Sequence, residues 1–337
     1  MPSDAPVAAV RRQAGPGGLG GPGGLGLILP TFPQDGGPLP DAAALAALSR
    51  AAQSAGASAL WACDHLYWHG PALEAFAALA VAATATTDVA LGPCVLQLPL
   101  RDPAVVAKEA ASLARLSGGR LVLGVGVGTH AGEYDAAGRD FATRGARLDA
   151  GIDAVRREWS PARGARYAQL PSPGPIPVWV GGSSEAALRR AAQRGDGWIP
   201  LFLSPAEYSA AQERLDKETE RVGRAPADVA RALVAFVAVG GSDAAERGLS
   251  WMGSLYGIPA RRFARHLVTG DAAACAAELA RYAEAGARHV AVFVTADEPL
   301  LQFEDLAGEF AGLVACPGDE PSVDAPRDGR AAIDVGR

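Results

Sequence analysis

The sequence has little cysteine and no long apolar segment. Only four of its 337 residues are cysteine, and they are scattered without a CxxC pair, which argues against both a disulfide framework and a zinc site. No run of about 18 apolar residues occurs. Arg11-Arg12 leads into a Gly/Pro stretch and not into the apolar part of an export signal. These absences predict a cytoplasmic protein with no metal, no export signal and no membrane span.

The sequence also lacks an excess of basic residues. Lys and Arg number 31 against 37 Asp and Glu, a net charge of -6, which would repel a phosphate backbone and excludes nucleic acid as an expected partner. With 49% hydrophobic and 20% charged residues, the composition is that of a globular protein and not of a fibrous or disordered one.

Large side chains are scarce at both ends of the chain. Residues 1–23 are mostly Gly, Pro and Ala, and residues 316–337 are polar and contain several prolines. Such segments bury too little apolar surface to offset the entropy lost on ordering. Two disordered tails are therefore expected around one folded domain, 24–315.

Within the domain, short apolar runs alternate with longer Ala-rich amphipathic stretches, the pattern of βα units around a parallel sheet. Strands are predicted at 25–29, 59–62, 89–95, 121–127, 176–180, 197–201, 233–239 and 289–294. Helices are predicted at 41–55, 73–85, 103–116, 141–159, 184–194, 205–221, 271–285 and 299–314. Eight such pairs predict an α/β fold, a (β/α)8 TIM barrel, whose active site lies at the carboxyl ends of its strands.

Two segments are longer than ordinary barrel connections and are predicted as insertions after strands 4 and 7. Residues 160–177 contain Arg163 and Arg166 and are interpreted either as a lid or as a solvated loop. Residues 240–270 contain Trp251 and Tyr256 and are interpreted either as a wall of the substrate pocket or as an extra helix on the barrel.

The second predicted strand is followed by the densest set of reactive side chains, Asp64, His65 and Trp68. A histidine with an ordinary pKa near 6.5 exchanges protons at neutral pH, and an aspartate can orient a ligand or accept backbone hydrogen bonds. The structural alternative is that Asp64 caps a helix and His65 is a packed, hydrogen-bonded core residue.

The next two strands carry unusual glycines. Gly92-Pro93 inside the third apolar run indicates either a distortion or a strand that begins only at Cys94. In the fourth, Gly124, Gly126 and Gly128 share one face. That face either admits a flat ring or makes room for larger neighbours.

The fifth strand ends in Gly181-Gly182-Ser183-Ser184, and a predicted helix follows at once. Glycines allow close approach of the backbone, and a helix N-terminus offers free N–H groups, so a phosphate is predicted here. Ser183 as an ordinary helix N-cap is the alternative. Gly197 and Trp198, in the sixth strand, are expected beside this turn.

In order, these segments resemble the bacterial luciferase-like superfamily of flavin- and deazaflavin-dependent oxidoreductases. The resemblance covers nearly all of the predicted domain and is carried by the following segments: Gly26-Leu27-Ile28-Leu29-Pro30, Leu60-Trp61-Ala62-Cys63-Asp64-His65-Leu66, Leu116-Ser117-Gly118-Gly119-Arg120, Leu123-Gly124-Val125-Gly126-Val127-Gly128, Arg144-Gly145-Ala146-Arg147-Leu148-Asp149, Gly181-Gly182-Ser183-Ser184 and Gly195-Asp196-Gly197-Trp198-Ile199-Pro200.

The resemblance implies a reduced FMN or coenzyme F420 at the carboxyl ends of the strands, and a cis peptide at Cys94-Val95 behind its ring. By the same resemblance, Asp64 contacts the cofactor, His65 is the proton donor or acceptor, and Trp68 shapes the substrate pocket. The remaining expected cofactor contacts are Gly126, Val127, Gly128 and Thr129 beside the ring, and Gly181, Gly182, Ser183, Ser184, Gly197 and Trp198 around the phosphate. His130 and Glu133 are the candidates for a second proton-transfer group.

The cofactor decides the reaction class. F420 is confined to hydride transfer, whereas reduced FMN reacts with O2 and supports monooxygenation. By the same resemblance, the Asp64-His65 pair is typical of the F420-using branch and favours F420-dependent hydride transfer to or from a small organic substrate. An FMN-dependent monooxygenase supplied by a flavin reductase is the alternative, and a non-catalytic flavin-binding protein is the third hypothesis. The family also implies a homodimer.

Overall fold

The computed structural model describes residues 24–33, 37–160, 174–295 and 298–314. The two predicted tails and most of the predicted lid at 160–177 lie outside these ranges. Within them, the strands are β1 (Gly24–Ile28), β2 (Ala59–Ala62), β3 (Ala90–Pro93), β4 (Leu123–Val125), β5 (Val178–Gly181), β6 (Gly197–Ile199), β7 (Ala230–Val239), β8 (Leu267–Gly270) and β9 (His289–Val294).

The α-helices alternate with these strands for most of the chain. They are α1 (Ala42–Ser54), α2 (Ala75–Ala85), α3 (Pro103–Leu116), α4 (Ala131–Ala136), α5 (Arg144–Trp159), α6 (Glu185–Arg194), α7 (Pro205–Arg221), α8 (Ser242–Tyr256), α9 (Ala272–Glu284) and α10 (Pro299–Val314). Several begin at residues whose side chains accept N–H groups of the first turn, among them Asp41, Asp102 and Ser204. None of the described helices is both long and apolar enough to cross a membrane.

Eight parallel strands form the barrel, which confirms the predicted fold. They follow the order β3-β2-β1-β9-β7-β6-β5-β4. Isolated parallel bridges from Leu91 to Leu121 and from Leu96 to Val125 join the two ends of this order. All carboxyl ends of the parallel strands therefore meet at one end of the barrel, here called the mouth, and the amino ends meet at the floor.

Two buried apolar clusters pack on the outer and inner faces of the barrel strands. Outward-facing strand residues such as Leu27, Leu60 and Val180 pack under the helices. A separate interior cluster contains Trp61, Trp179 and other large side chains. Because both faces of each strand are buried, the strands read as continuous apolar runs in the sequence.

The third strand differs from the prediction. It ends at Pro93 instead of continuing to residue 95, and the alternative in which it begins at Cys94 is wrong. The peptide between Cys94 and Val95 is cis, as the resemblance implied. The chain leaves the ladder there and rejoins it at Leu96, which bridges to Val125.

The region 240–270 holds an additional strand that the sequence analysis missed. Helix α8 fills its first half, as one interpretation proposed, but β8 then pairs in parallel with the last four residues of β7. Strand β8 has only four residues, and two of them, Thr269 and Gly270, are not buried. Such a segment lacks the apolar run by which the barrel strands were identified.

Candidate active site

Asp64 lies directly after β2 at the mouth and is buried, at 3% exposure. One carboxylate oxygen pairs with the Arg101 guanidinium, and the other accepts the backbone N–H of Gln97 at 2.8 Å. The Gln97 side chain returns a bond to the Asp64 carbonyl oxygen at 3.1 Å. These contacts tie the loop after β2 to the loop after β3. The Asp64 side chain has no exposed surface, so direct contact of this carboxylate with a cofactor would require the two loops to move.

His65 follows Asp64 and is paired with a buried carboxylate. Its Nδ1 lies 3.1 Å from Oε2 of Glu133 in α4. The other oxygen of Glu133 accepts the backbone N–H groups of Leu66 and Tyr67, at 2.6 and 3.1 Å. Glu133 therefore fixes both the imidazole and the backbone that follows it.

The hydrogen-bond geometry determines which nitrogen of His65 carries a proton. Nε2 of Gln97 lies 3.0 Å from Nδ1 of His65, 3.1 Å from the Asp64 carbonyl and 2.8 Å from Glu133 Oε2. Its two hydrogens serve only two of these contacts, and the ionised Glu133 oxygen 3.1 Å from Nδ1 can only accept. An amide nitrogen has no third hydrogen to donate. We infer that Nδ1 of His65 carries the hydrogen and donates it to Glu133. In the neutral ring, Nε2 then holds the free lone pair.

Glu133 is itself kept ionised. Burial raises its pKa, but the hydrogen bonds from His65, Gln97 and the Tyr67 backbone outweigh burial and lower the pKa below the ordinary value. Its side chain has no exposed surface. These properties suit a residue that orients His65, and they do not suit a group that exchanges protons with a substrate.

Aromatic rings enclose the imidazole. Trp68 stacks on His65 with ring centroids 3.7 Å apart, and the ring of Phe32, after β1, is tilted toward it at 5.8 Å. His130 meets Trp68 edge-on at 5.5 Å. The predicted grouping of His65 and Trp68 is thus present, and His130 belongs to it through Trp68 and not through a contact with His65.

The glycine face of β4 is already filled. A methyl group at Gly126 would lie 2.5 Å from Cγ2 of Val95, and one at Gly181 in β5 would lie 3.1 Å from both methyls of the same valine. At Gly128 it would overlap the side-chain oxygen of Gln97. The glycines therefore make room for the segment after the cis peptide. A ring lying on the glycines themselves is not compatible with this packing.

The remaining mouth residues from β3 and β4 are only partly accessible. Val95, Val127 and Gly128 are half-buried, and Thr129 is exposed. The carbonyl of Val127 accepts the Tyr134 hydroxyl. Burial raises the pKa of the Cys63 thiol to about 12, with a further contribution from the Asp64 charge, and also raises the pKa of Cys94. Both thiols therefore remain protonated at neutral pH and are poor nucleophiles.

The predicted phosphate turn is present after β5. Gly182 has a φ of +101°, a conformation that favours glycine. Ser184, not Ser183, is the N-cap of α6, and its hydroxyl accepts the N–H of Ala187 at 3.3 Å. Ser183 is exposed. Phosphate binding by this turn stays a prediction.

Trp198 and Gly197 have packing roles beside the turn. The Trp198 side chain is fully buried, stacks on Tyr208 at 5.1 Å and donates its N–H to the Gly182 carbonyl at 2.8 Å. Gly197 leaves space for the ring of Trp179. Both lie near the turn as expected, but Trp198 acts on it through Gly182 and has no surface with which to contact a ligand.

Sequence reasoning missed Gln97 and Arg101. Both follow the cis segment, and they bind Asp64, 33 and 37 positions earlier in the chain. The available signal was that Gln97 and Arg101 are the only two polar residues in the apolar stretch 89–101 that contains the third strand and the segment after it.

Comparison with models of protein families assigns the chain to a family. Residues 24–252 match the model of the luciferase-like monooxygenases. The chain belongs to this family. Its Asp64-His65 segment and cis bulge lie inside the matched region.

Two curated relatives are similar to part of this luciferase-like protein. An uncharacterized protein of Mycobacterium tuberculosis is 39% identical over 164 residues, 46% of this chain and 57% of the relative. The phthiodiolone/phenolphthiodiolone dimycocerosates ketoreductase of M. tuberculosis is 30% identical over 196 residues, 52% of this chain and 51% of the ketoreductase. The luciferase-like chain thus spans about half the length of the curated relatives it matches.

A solved structure shows the same fold. An F420-dependent secondary alcohol dehydrogenase in complex with an F420-acetone adduct superposes with a TM-score of 0.74 at 17% identity, covering 87% of this chain and 99% of the other. At this identity the likeness establishes the barrel fold alone.

Proposed function

We propose that this luciferase-like protein is an oxidoreductase that transfers a hydride between coenzyme F420 and an alcohol or carbonyl compound. The observation that carries the proposal is the state of His65. Its Nδ1 hydrogen is held by Glu133 at 3.1 Å, which leaves Nε2 as the nitrogen that can take up or release a proton.

The roles of the protein residues follow from this arrangement. In alcohol oxidation, Nε2 of His65 accepts the hydroxyl proton while the C–H bond breaks and the hydride leaves, so that the C–O single bond becomes a carbonyl. In the reverse direction, the same nitrogen returns the proton to the oxygen. Glu133 and Gln97 are positioning residues because they fix the imidazole. Asp64 and Arg101 hold the loop that carries it.

The mouth has unused polar atoms that fit a bound cofactor. Trp68 Nε1, His130 Nδ1 and Gln97 Oε1 are buried and have no hydrogen-bond partner among the described residues. Such atoms are costly unless a ligand or water satisfies them. Residues after the cis peptide, with Val95 half-buried, would back the ring, and the turn at Gly182 and Ser183 would hold the phosphate. F420 bound here would supply or accept the hydride.

The relatives support hydride transfer. The name of the M. tuberculosis ketoreductase states reduction of a ketone, and the superposed alcohol dehydrogenase is F420-dependent. The family description, a luciferase-like monooxygenase, supports the second candidate, oxygenation with reduced FMN. That reaction would need a separate flavin reductase. A homodimer is proposed from the family resemblance.

Anaerobic titration of the protein with F420 and with FMN, each oxidised and reduced, tests the proposal. Oxygen uptake is then measured with the form that binds. We expect tight F420 binding, no oxygen uptake, and reduction of F420 by an alcohol. Preference for reduced FMN with oxygen consumption would establish the monooxygenase instead. Flavin binding without turnover over a broad substrate panel would support the non-catalytic protein.

The role of His65 is tested by His65→Ala. We expect turnover to fall on the order of 100-fold with little change in cofactor affinity, the range for loss of a general acid or base. His289→Gln is the matched control, because a glutamine oxygen can still accept the Trp61 N–H that His289 accepts at 2.9 Å. Unchanged turnover in His65→Ala would make His65 a structural residue.

A further inference from the structure

A cavity opens beside Trp68 and Phe32, which form part of its wall. It has a volume of about 420 Å3 and lies between the loops after β1 and β2 and helix α8. We call it the aromatic pocket. The residues on which the argument depends are Phe32, Trp68, His69, Ser250, Trp251 and Ser254. Its size lies within the range of small-molecule sites.

The aromatic pocket adjoins the proton-transfer site. Phe32 and Trp68 form part of its wall, and the same two rings flank His65 at 5.8 and 3.7 Å. A molecule seated in the pocket therefore lies against the rings that hold the imidazole.

The walls are rigid and flat. Trp251 is buried at 8% exposure, donates its N–H to the Pro33 carbonyl at 3.3 Å and packs on Phe293 at 5.1 Å. Trp68 is fixed by its stack on His65. Fixed aromatic faces favour offset or edge contacts with another ring. A flexible chain would lose rotational freedom on binding between them, whereas a ring has little to lose.

The polar atoms of the pocket suit a neutral ligand. Ser250 and Ser254 are four residues apart on α8 and lie on the same helix face. Arg247 also lines the pocket, but this cation is already engaged in an interaction of its own and is not an unpaired charge. The lining therefore offers the two serine hydroxyl groups and the His69 ring for hydrogen bonds to an uncharged oxygen.

We propose that the aromatic pocket is the substrate site and that it selects neutral cyclic alcohols and ketones, aromatic or alicyclic, over open-chain ones. The inference rests on the proposed function for the reaction, but the binding preference can be measured without turnover. Trp68 and Trp251, two of the six tryptophans, line the pocket, so occupancy is expected to change the tryptophan fluorescence.

The test compares cyclohexanone with 2-hexanone, which have the same number of carbons and the same carbonyl group. Binding of each to the full chain without cofactor is followed by tryptophan fluorescence and by saturation-transfer NMR. We expect cyclohexanone to bind about tenfold more tightly, because fewer rotatable bonds are immobilised. Equal affinities, or tighter binding of 2-hexanone, would overturn the proposal.

Variants locate the binding. Ser250→Trp fills the pocket, and we expect it to weaken cyclohexanone binding at least about tenfold. Ser242→Trp is the matched control, because Ser242 is an exposed serine at the start of the same helix and does not line the pocket. Unchanged affinity in Ser250→Trp would contradict the assignment. Thermal unfolding checks the fold of both variants, and Ser254→Phe replaces Ser250→Trp if the latter does not fold.

Failure of this inference is distinguishable from failure of the proposed function. Cyclohexanone binding without any F420 or FMN binding would support the aromatic pocket as a ligand site and contradict the proposed oxidoreductase function. Turnover of open-chain alcohols with no preference for cyclic ones would support the oxidoreductase function and contradict the proposed selectivity for rings.

Discussion

The mouth and the floor of this barrel each contain a histidine among aromatic rings, but their partners differ. At the mouth, His65 gives its Nδ1 hydrogen to Glu133 and stacks on Trp68. At the floor, His289 begins β9, is 1% exposed and accepts the indole N–H of Trp61 at Nε2, 2.9 Å away. Its Nδ1 lies 3.4 Å from the Ser58 hydroxyl.

The difference shows that the partners of a histidine, and not its burial or its neighbouring rings, indicate its role. The Glu133 carboxylate accepts the hydrogen at Nδ1 and leaves the second nitrogen of His65 for a ligand. An indole N–H occupies the lone pair of His289 and keeps that nitrogen unprotonated. The mouth therefore supports proton exchange, and the floor supports only packing.

The largest expected effect is on stability at the mouth. Arg101→Ala removes the partner of the buried Asp64 carboxylate, and an unpaired buried charge costs about 3–5 kcal/mol of unfolding free energy. Denaturant unfolding of the wild type and the variant measures this difference in unfolding free energy. Arg221→Ala is the control, because its pair with Glu218 is on the surface, with the arginine 57% exposed, and such pairs contribute about 0–1 kcal/mol. Similar losses in both variants would show that Asp64 is not buried as an ion.

The next effect is on catalysis and concerns the carboxylate that distinguishes the two histidines. Glu133→Gln replaces the acceptor at Nδ1 of His65 by an amide that can donate to it, which favours the tautomer with hydrogen on Nε2. We expect turnover to fall about 10- to 100-fold, since the general base is then in the wrong tautomer. Glu207→Gln, at the exposed N-terminus of α7, is the control. A wild-type rate in Glu133→Gln would contradict the proposal that the carboxylate partner distinguishes the catalytic role of His65 from the packing role of His289.

A smaller effect is expected at the floor. His289→Leu leaves the buried Trp61 N–H without its acceptor, which costs about 1–3 kcal/mol of unfolding free energy. We expect turnover per folded molecule to stay unchanged. The two quantities are measured on one preparation by thermal unfolding and by steady-state kinetics. Loss of turnover without loss of stability would mean that the floor histidine also takes part in the reaction.

The smallest effect is the pH dependence of the contribution from Glu133. Its pKa in the folded protein is lowered from the ordinary 4.5, so its contribution to stability is complete above that value and is lost as the pH falls through the lowered pKa. We expect the stability difference between wild type and Glu133→Gln to shrink on acidification below about pH 4.5. Urea unfolding of both proteins from pH 7 to pH 3 checks this. A difference that grows toward acid pH would contradict the lowered pKa.

Most of the barrel could be predicted because its signals are local. Continuous apolar runs marked the barrel strands, and Asp64 and His65 were placed at the mouth because they follow one of these runs directly. Gly92-Pro93 indicated a distortion of the third strand, but both residues stay in the ladder and the chain departs from it only at the following cis peptide, Cys94-Val95. Strand β8 was missed because it is short and only half-buried, so its pairing with β7 is what identifies it.

The sequence by itself determined the α/β alternation, the barrel and the positions of the reactive side chains along it, since each depends on residues within a few positions of one another. Only the tertiary structure decided what those side chains do. The pairing of His65 with Glu133, 68 residues away, the filling of the glycine face by Val95 and the burial of Trp198 against Tyr208 all depend on contacts between distant segments. Such contacts leave no local periodicity in the sequence.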